Sequence, residues 1–375
     1  MMQMKQWLER YLVPGLVVQA VIVGGGDASG RELVEFFLAH GAATGLLGLA
    51  WTALLFSIGT ATAFEVARRY QAFDYRSFCQ AYMGRFAVLF ELGYVASLVL
   101  VLSIVSAAAA KLVAEVLGTP ELPNAVAFMA VVAMLVFFGN RIVERVISWW
   151  SLLFYATYGA LFVTVIMHHS AALSAELAAS PADLGVALRE GTSYTGYNIA
   201  VLPVLIFVAR NFRSRREALW SGALAGPLIL LPGFAFLLVL AAFRAQVLDA
   251  PLPVTVVLHQ LHTPLLGAFV KLVILGAMIK TGAGLLHGLN ERIARGYRDR
   301  GSAMPDGLRP AVAFVAMALS VGVAARIGLV DLIAHGYRYS SAYFLLVFLL
   351  PLLTRGLWLA LRRQTPPPDV ATRQP

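Results

Sequence analysis

The sequence predicts an all-α polytopic membrane protein of ten transmembrane helices, arranged as two inverted halves of five. Three observations predict it. Of 375 residues, 59% are hydrophobic and 13% charged, with mean hydropathy +0.77; soluble domains carry about 25% charged residues. Apolar stretches recur at close to the roughly 20 residues that cross a bilayer core of about 30 Å. Basic residues alternate between the ends of these stretches: 21 of the 29 Lys and Arg fall on one side and four on the other. By the positive-inside rule that alternation fixes ten spans with both termini cytoplasmic.

The spans follow in order. Residues 1–10 form a short cytoplasmic N-terminus with no small-residue cleavage site behind it, so the first span is expected to be retained. The first half covers 11–170, with spans over about 11–37, 46–67, 86–117, 125–138 and 147–168. Arg68 and Arg69 close the second span, and a polar segment over 70–85 leads to the third. Gly118-Thr-Pro120 ends the third span without a Lys or Arg. A basic loop over 140–145 precedes the fifth. A weakly acidic outer connection fills 171–192. The second half covers 193–361, with spans over about 193–209, 219–243, 265–289, 311–325 and 342–361. Basic loops over 210–216 and 292–309 lie on the same side as Arg68. The segment 244–263 reads as an exposed connection with a short amphipathic part. Pro366 to Pro368 open a polar tail, 362–375, expected to be disordered.

An odd number of spans per half makes the second half enter the membrane from the opposite side, which is the inverted repeat of one large class of secondary transporters. Such proteins break one helix in each half where the solute binds. The first span is interrupted by Gly24-Gly25-Gly26-Asp27-Ala28-Ser29-Gly30. Each glycine costs a helix about 1 kcal/mol relative to Ala. Unwound backbone at membrane depth is tolerated only where protein covers it or it lines a wet cavity. The sixth span reads Thr192-Ser-Tyr194-Thr-Gly196-Tyr197-Asn198 with Pro203 beyond, so the first and sixth helices are both expected to be discontinuous. Gly24 to Gly30 with Tyr194, Gly196, Tyr197 and Asn198 form the expected substrate site. The N-termini exposed near Gly30 to Leu33 and Ala200 to Val204 suit an anionic group, while Asp27 suits an amine; together they fit a zwitterion.

These residues resemble the first and sixth helices of YkvI-type bacterial membrane proteins. The resemblance rests on Gly24-x-Gly26-x-Ala28-Ser29-Gly30-x-Glu32 with Phe36-Phe37, and on Tyr194-x-x-Tyr197-Asn198 before a basic loop. It spans about Tyr11 to Leu361. That family is related to the amino acid–polyamine–organocation superfamily, so the resemblance implies a LeuT-like fold, secondary transport and a place in the bacterial inner membrane. Two positions depart from the pattern. Asp27 stands where such proteins usually carry an aromatic, and Lys280 where they usually carry a hydroxyl. In sodium-coupled members the eighth helix offers a carbonyl and two hydroxyls, and the matching positions here are Ala277, Lys280 and Thr281. The resemblance therefore implies that an ammonium replaces the sodium ion, with Asp27, Ala277, Lys280 and Thr281 as the ion-coupling set.

Each residue has a plainer reading. An acid at mid-bilayer costs at least about 3 kcal/mol on insertion scales and calls for a partner; Asp27 binds a substrate amine, carries a coupled proton, or pairs statically with Lys280. Lys280 is a proton carrier or a sodium surrogate, or it snorkels to an interface. Tyr194, Tyr197 and Asn198 also fit an interfacial aromatic belt. Arg31 and Glu32 fit an outer gate or a watery vestibule. Lys111 and Glu115 read as a local i, i+4 pair, Glu91 as interfacial, and His168, His169, His259 and His262 as solvated loop residues. Cys79 is the sole cysteine, so no internal disulfide forms. No P-loop, GxSxG or HExxH occurs. The expectation is a non-enzymatic transporter of an amino acid or amine, partnered by the bilayer and a small solute, with H+ coupling or sodium independence and without metal, cofactor or nucleic acid. The alternatives are a receptor or sensor on the same fold, and a channel.

Overall fold

The computed structural model describes residues 2–22, 24–138, 141–179, 181–298, 300–305 and 307–362, without side chains at 2–6, 137–138, 141–149 and 151–152. The side chains of Arg141 and Arg145 and the expected tail from residue 363 lie outside the described residues. Eight helices are long and apolar enough to cross a membrane, and Val13–Ile22 and Glu121–Val136 are shorter apolar helices. No strand occurs among the described residues. The chain is a multi-pass membrane protein.

The chain opens with α1 (Met2–Tyr11) and α2 (Val13–Ile22), followed by the four-residue α3 (Gly25–Ala28) and by α4 (Arg31–Phe36). The second element of the bundle is α5 (Ala42–Tyr70). The polar segment after it folds as α6 (Tyr75–Met83), whose N-cap Asp74 accepts the backbone N–H groups of Arg76 and Ser77 at 3.0 Å. Next come α7 (Ala87–Leu117), α8 (Glu121–Phe138) and α9 (Arg141–Ala179), then α10 (Leu184–Asn198). A tighter 3-10 turn, α11 (Leu202–Leu205) and a second 3-10 turn carry α10 on to Asn211. The rest comprises α12 (Arg215–Ala241), α13 (Arg244–Val247), α14 (Pro253–Gln260), α15 (Pro264–Arg298) and α16 (Leu308–Ile327). The last stretch, α17 (Leu329–Asp331), α18 (Tyr337–Phe344) and α19 (Leu357–Leu361), is joined by wider π turns into one span over Leu329–Leu361.

Several boundaries differ from the sequence expectation, each for a physical reason. The outer connection expected over 171–192 is mostly helical. His169 leaves helical geometry (φ −127°, ψ 20°), and α9 runs on past it to Ala179. Asp183 then caps α10 through Val186 N–H at 3.0 Å, starting that helix at 184 rather than 193. The last span begins at Leu329 rather than 342. Its polar first half hid it: Arg338, Ser340 and Ser341 find partners on other helices, so their polarity marks contacts between helices and not a loop. Arg338 reaches Glu190, Ser340 meets Ser97 at 3.0 Å, and Ser341 donates to the Ser193 carbonyl at 2.5 Å.

The bundle closes around α5 and α12, which pack along their lengths. Gly222 and Gly226 of α12 lie directly against the backbone of Ala61 and Ala53, leaving no room for a Cβ. Ser57 donates to the Ala223 carbonyl across the same seam at 2.7 Å. Small residues at a membrane helix seam let backbones approach, which raises van der Waals attraction where lipid offers no hydrophobic driving force. Further seams join α7 to α15 and α8 to α16.

Two charge assignments are also corrected. Lys111 pairs with Glu121 at 2.8 Å, and Glu115 pairs with Lys271 at 2.7 Å, so the local i, i+4 pair gives way to links between helices. His259, expected as solvated, is exposed but sits 3.3 Å from Glu115. Glu91 meets Arg292 of α15 at 2.6 Å, and that guanidinium lies over the rings of Tyr75 and Tyr94 at 4.1 and 4.5 Å.

Candidate functional site

The first span leaves α-helical geometry twice. α2 ends at Ile22 and Gly24 forms a bend. After α3, Gly30 adopts φ 81°, and α4 starts one residue later. An L-residue with a side chain pays roughly 1–2 kcal/mol in that left-handed region, and a Cβ on Gly30 would also press on the Phe236 ring at 3.1 Å. Protein covers the backbone freed here. Tyr158 donates to the Ala28 carbonyl at 2.5 Å, and Val254 N–H of α14 donates to the Ser29 carbonyl at 3.1 Å. Those contacts are what non-helical backbone at membrane depth requires.

Around this stretch α10 presents its phenols. Tyr194 donates to Asp27 Oδ1 at 3.0 Å, and Tyr197 donates to Glu32 Oε2 at 2.5 Å. The carboxyls of Asp27 and Glu32 also stand in hydrogen-bonding contact with each other, and Tyr337 of α18 reaches Glu32. Tyr337 stacks on Tyr197, with centroids 4.1 Å apart and planes at 8°. Phe36 and Phe37 close the other side, with ring centroids 5.8 and 5.0 Å from Tyr194. Glu32 is 3% exposed, which speaks against the watery vestibule, one of the two readings open for it beside the outer gate. Arg31, 7% exposed, turns away and donates to the Leu248 and Ala250 carbonyls and to Glu35.

Two cavities flank the interruption. One is lined by Asp27, Tyr158 and Tyr194 together with Pro232, Gly233 and Phe236 of α12. The other is lined by Ala20, Gly24, Ala277, Lys280 and Thr281, under the rings of Trp150 and Phe154. The backbone at Gly24 lies so close to Thr281 that a Cβ would stand 2.9 Å from its Oγ1. Asp27 and Lys280 thus face separate cavities on the two sides of one helix interruption. The first is an acidic, phenol-lined space. The second is lined by Lys280 and has the Thr281 hydroxyl against the backbone at Gly24.

The remaining sequence candidates have other surroundings. Gly196 lies against Ser341 and Leu345, where a side chain would collide with the last span. Asn198 Nδ2 donates back to the Tyr194 carbonyl at 3.2 Å within its own helix. Gly25 and Gly26 form the body of α3, and Ala28 and Ser29 are buried in its exit.

Sequence reasoning missed Tyr158 and Tyr337. Tyr158 is a phenol in the middle of the fifth expected span, which could have marked it; Tyr337 fell in what read as a loop. The charged cluster beside the site was also missed. Glu190, 2% exposed, takes Arg338 at 2.9 Å and Arg189 at 2.9 Å, with His40 at 3.9 Å; Arg338 also nears Glu35 at 3.8 Å and lies over the Phe36 ring.

Among solved structures, the crystal structure of MhsT in complex with L-phenylalanine matches with a TM-score of 0.56 at 15% identity. The match covers 94% of this chain and 97% of that one. The two chains share a fold. It is the LeuT-like fold, and the likeness runs over nearly the full length of both. No family model matches the sequence, and no curated protein matches it.

Proposed function

We propose that this chain is a secondary active transporter of an amino acid or amine, working by alternating access around the interruption in its first span. The observation that carries this reading is Asp27, set between two non-helical turns, bonded by Tyr194 of the sixth span and facing a cavity. Broken helices at the interface of two repeats are where such transporters hold their solutes. The likeness to MhsT, a protein captured with L-phenylalanine, supports the substrate class.

The ten spans divide into two inverted halves of five. The second span packs along the seventh (α5 with α12), and the third and fourth pack against the eighth and ninth as a group (α7 and α8 with α15 and α16), which supports that division. The sixth span interrupts its α-helix by tightening into 3-10 turns on either side of α11. Both termini are cytoplasmic in this reading, by the alternation of basic residues, and the bacterial inner membrane is what the resemblance to YkvI-type proteins implies. The substrate amine meets Asp27; of the N–H groups expected to meet its carboxylate at the start of α4, that of Arg31 already donates to Ser29 Oγ at 3.2 Å.

Transport is sodium-independent in this reading. Thr281 stands against the backbone at Gly24, and Lys280 lines the cavity beside it. Sodium needs oxygen ligands, whereas an ammonium offers only donors and repels the ion. Proton coupling completes the scheme.

The test is thermal stability of the purified protein against amino acids and amines, with and without sodium, at two pH values. A ligand stabilises the folded state according to its concentration over its Kd. A stabilising amino acid or amine whose effect disappears in Asp27→Asn supports the reading. Stabilisation that is unchanged in Asp27→Asn removes Asp27 from it, and no stabilisation by any of them favours a receptor or sensor for another ligand.

A further inference from the structure

Asp27 and Glu32 stand on either side of Gly30, and the left-handed turn there brings their carboxyls into hydrogen-bonding contact. Each also accepts a phenol, Tyr194 on Asp27 and Tyr197 on Glu32, and Tyr337 adds a second donor to Glu32. A carboxylate has lone pairs and no hydrogen, so two carboxylates facing each other have nothing to share. Their contact needs one proton between them.

The charged groups of the surrounding elements do not supply that proton's compensation. Arg31 on α4 points to the Leu248 and Ala250 carbonyls and to Glu35. Arg338 of α18 is directed at Glu190 and Glu35, and His335 before it is exposed. Lys280 of α15 lines the other cavity. α12 carries no charged residue beyond Glu217, and α7 none between Glu91 and Lys111. The titratable groups facing the pair are phenols: Tyr158, Tyr194, Tyr197 and Tyr337.

The two carboxyls are not equivalent. Asp27 lines the cavity and is half-buried, whereas Glu32 lies behind it, 3% exposed and outside the cavity lining.

We propose that Glu32 holds a proton shared with Asp27, so that the pair carries a single negative charge and the cavity beside Asp27 takes one monocationic group, such as a primary ammonium. The choice of ligand rests on the transporter reading; the location of the proton does not. An entering ammonium donates to Asp27, the proton stays on Glu32, and the loaded pair is neutral. A dication would leave excess charge in the bilayer interior, where an uncompensated charge is costly.

The test is infrared spectroscopy of the full-length protein at neutral pH, unlabelled and with 13C in the side-chain carboxyls of either Glu or Asp. The expected result is a protonated-acid C=O band that moves with labelled Glu, stays with labelled Asp and is lost in Glu32→Gln. A spectrum without that band, or a band that moves with labelled Asp, overturns the proposal. The labelled native protein decides this even if the variant does not fold. Failure here leaves the transporter reading standing if amino acids or amines still stabilise the protein. Conversely, the Glu32 band without any such stabilisation removes that reading and keeps the proton assignment.

Discussion

The hydroxyl of Tyr194 lies 3.0 Å from Oδ1 of Asp27, tying the sixth span to the interruption of the first. A hydrogen bond to a charged group contributes about 1.5–3 kcal/mol. Tyr194→Phe keeps the ring, and so keeps its contacts with Phe36, Phe37 and Tyr197. The expected outcome is a well-folded protein whose affinity for its amine or amino acid falls roughly ten- to a hundredfold, at about 1.4 kcal/mol per factor of ten. Titration calorimetry on the variant measures it. An unchanged Kd would show that the phenol holds structure and not ligand geometry.

Lys280 bears on the coupling ion. In the sodium-independent reading, uptake into vesicles is expected to proceed at the same rate in sodium and in choline buffers, because Lys280, in the cavity it lines with Gly24 and Thr281, would offer only donors to a cation. A steep rise of uptake with sodium sinks the sodium-independent reading. Lys280→Met removes the charge while keeping the length of the side chain. If Lys280 supplies that charge, the variant binds ligand but transports more slowly.

Much of this fold was legible because membrane spans announce themselves by length. α7 falls within one residue of its sequence boundaries at each end, while α5 begins four residues before its expected start and ends three after its expected end. The bend at Gly24 and the left-handed Gly30 fall in the stretch where glycine and an acid oppose both helix and lipid. The spans that went unread are those whose polar residues face other helices. Arg338 and Glu190 looked like loop residues because hydropathy cannot distinguish a charge facing water from one facing its counter-charge. The partner of Glu115 was unreadable for a different reason. Lys111 is its helical neighbour in sequence, but Lys271 arrives from α15, and only the packing of two distant helices selects it. Glu32 lay within the motif itself, and its contact with Asp27 depends on the single left-handed residue between them.

Gly30 is therefore expected to be intolerant. Gly30→Ala puts a Cβ at φ 81° and brings it to 3.1 Å from Phe236. The left-handed conformation alone costs roughly 1–2 kcal/mol. A lower melting temperature together with weakened ligand binding is the expected pair of results, because the same turn sets the Asp27–Glu32 contact. A variant that melts lower and binds normally would separate the turn from the site.

The cluster around Glu190 joins α10 to the last span. Arg338→Met removes one cation from a carboxylate that is 2% exposed, leaving Arg189 and His40 to compensate. Breaking a fully buried pair costs about 3–5 kcal/mol. Arg338 is itself 38% exposed, so the expected loss is smaller, about 1–2 kcal/mol, read as a drop in melting temperature. The double variant Arg338→Met with Glu190→Gln is expected to recover part of that loss, since the buried carboxylate is gone and Arg189, which loses it as a partner, is 67% exposed to water. A double variant less stable than the single one would mean that Glu190 is held mainly by Arg189.

Cys79 offers a reporter at the opposite end of α7 from Glu115. Its side chain is 1% exposed, on α6 beneath the Arg292 stack. Arg292 is fixed there by Glu91 at 2.6 Å and by the faces of Tyr75 and Tyr94. A desolvated cation over an aromatic ring contributes up to about 2 kcal/mol, and a lysine at that position would keep the charge but lose the planar stacking. A maleimide is therefore expected to label native Cys79 slowly, and the Arg292→Lys variant faster, as α6 lifts from α7 and α15. Because no other thiol is present, the labelling rate reads this one contact. If α6 moves during transport, adding a transported amino acid shifts the rate in the native protein. Equal rates in the native protein and the variant would mean that the packing of Phe78 and Tyr82, both at most 1% exposed, holds α6 in place without Arg292.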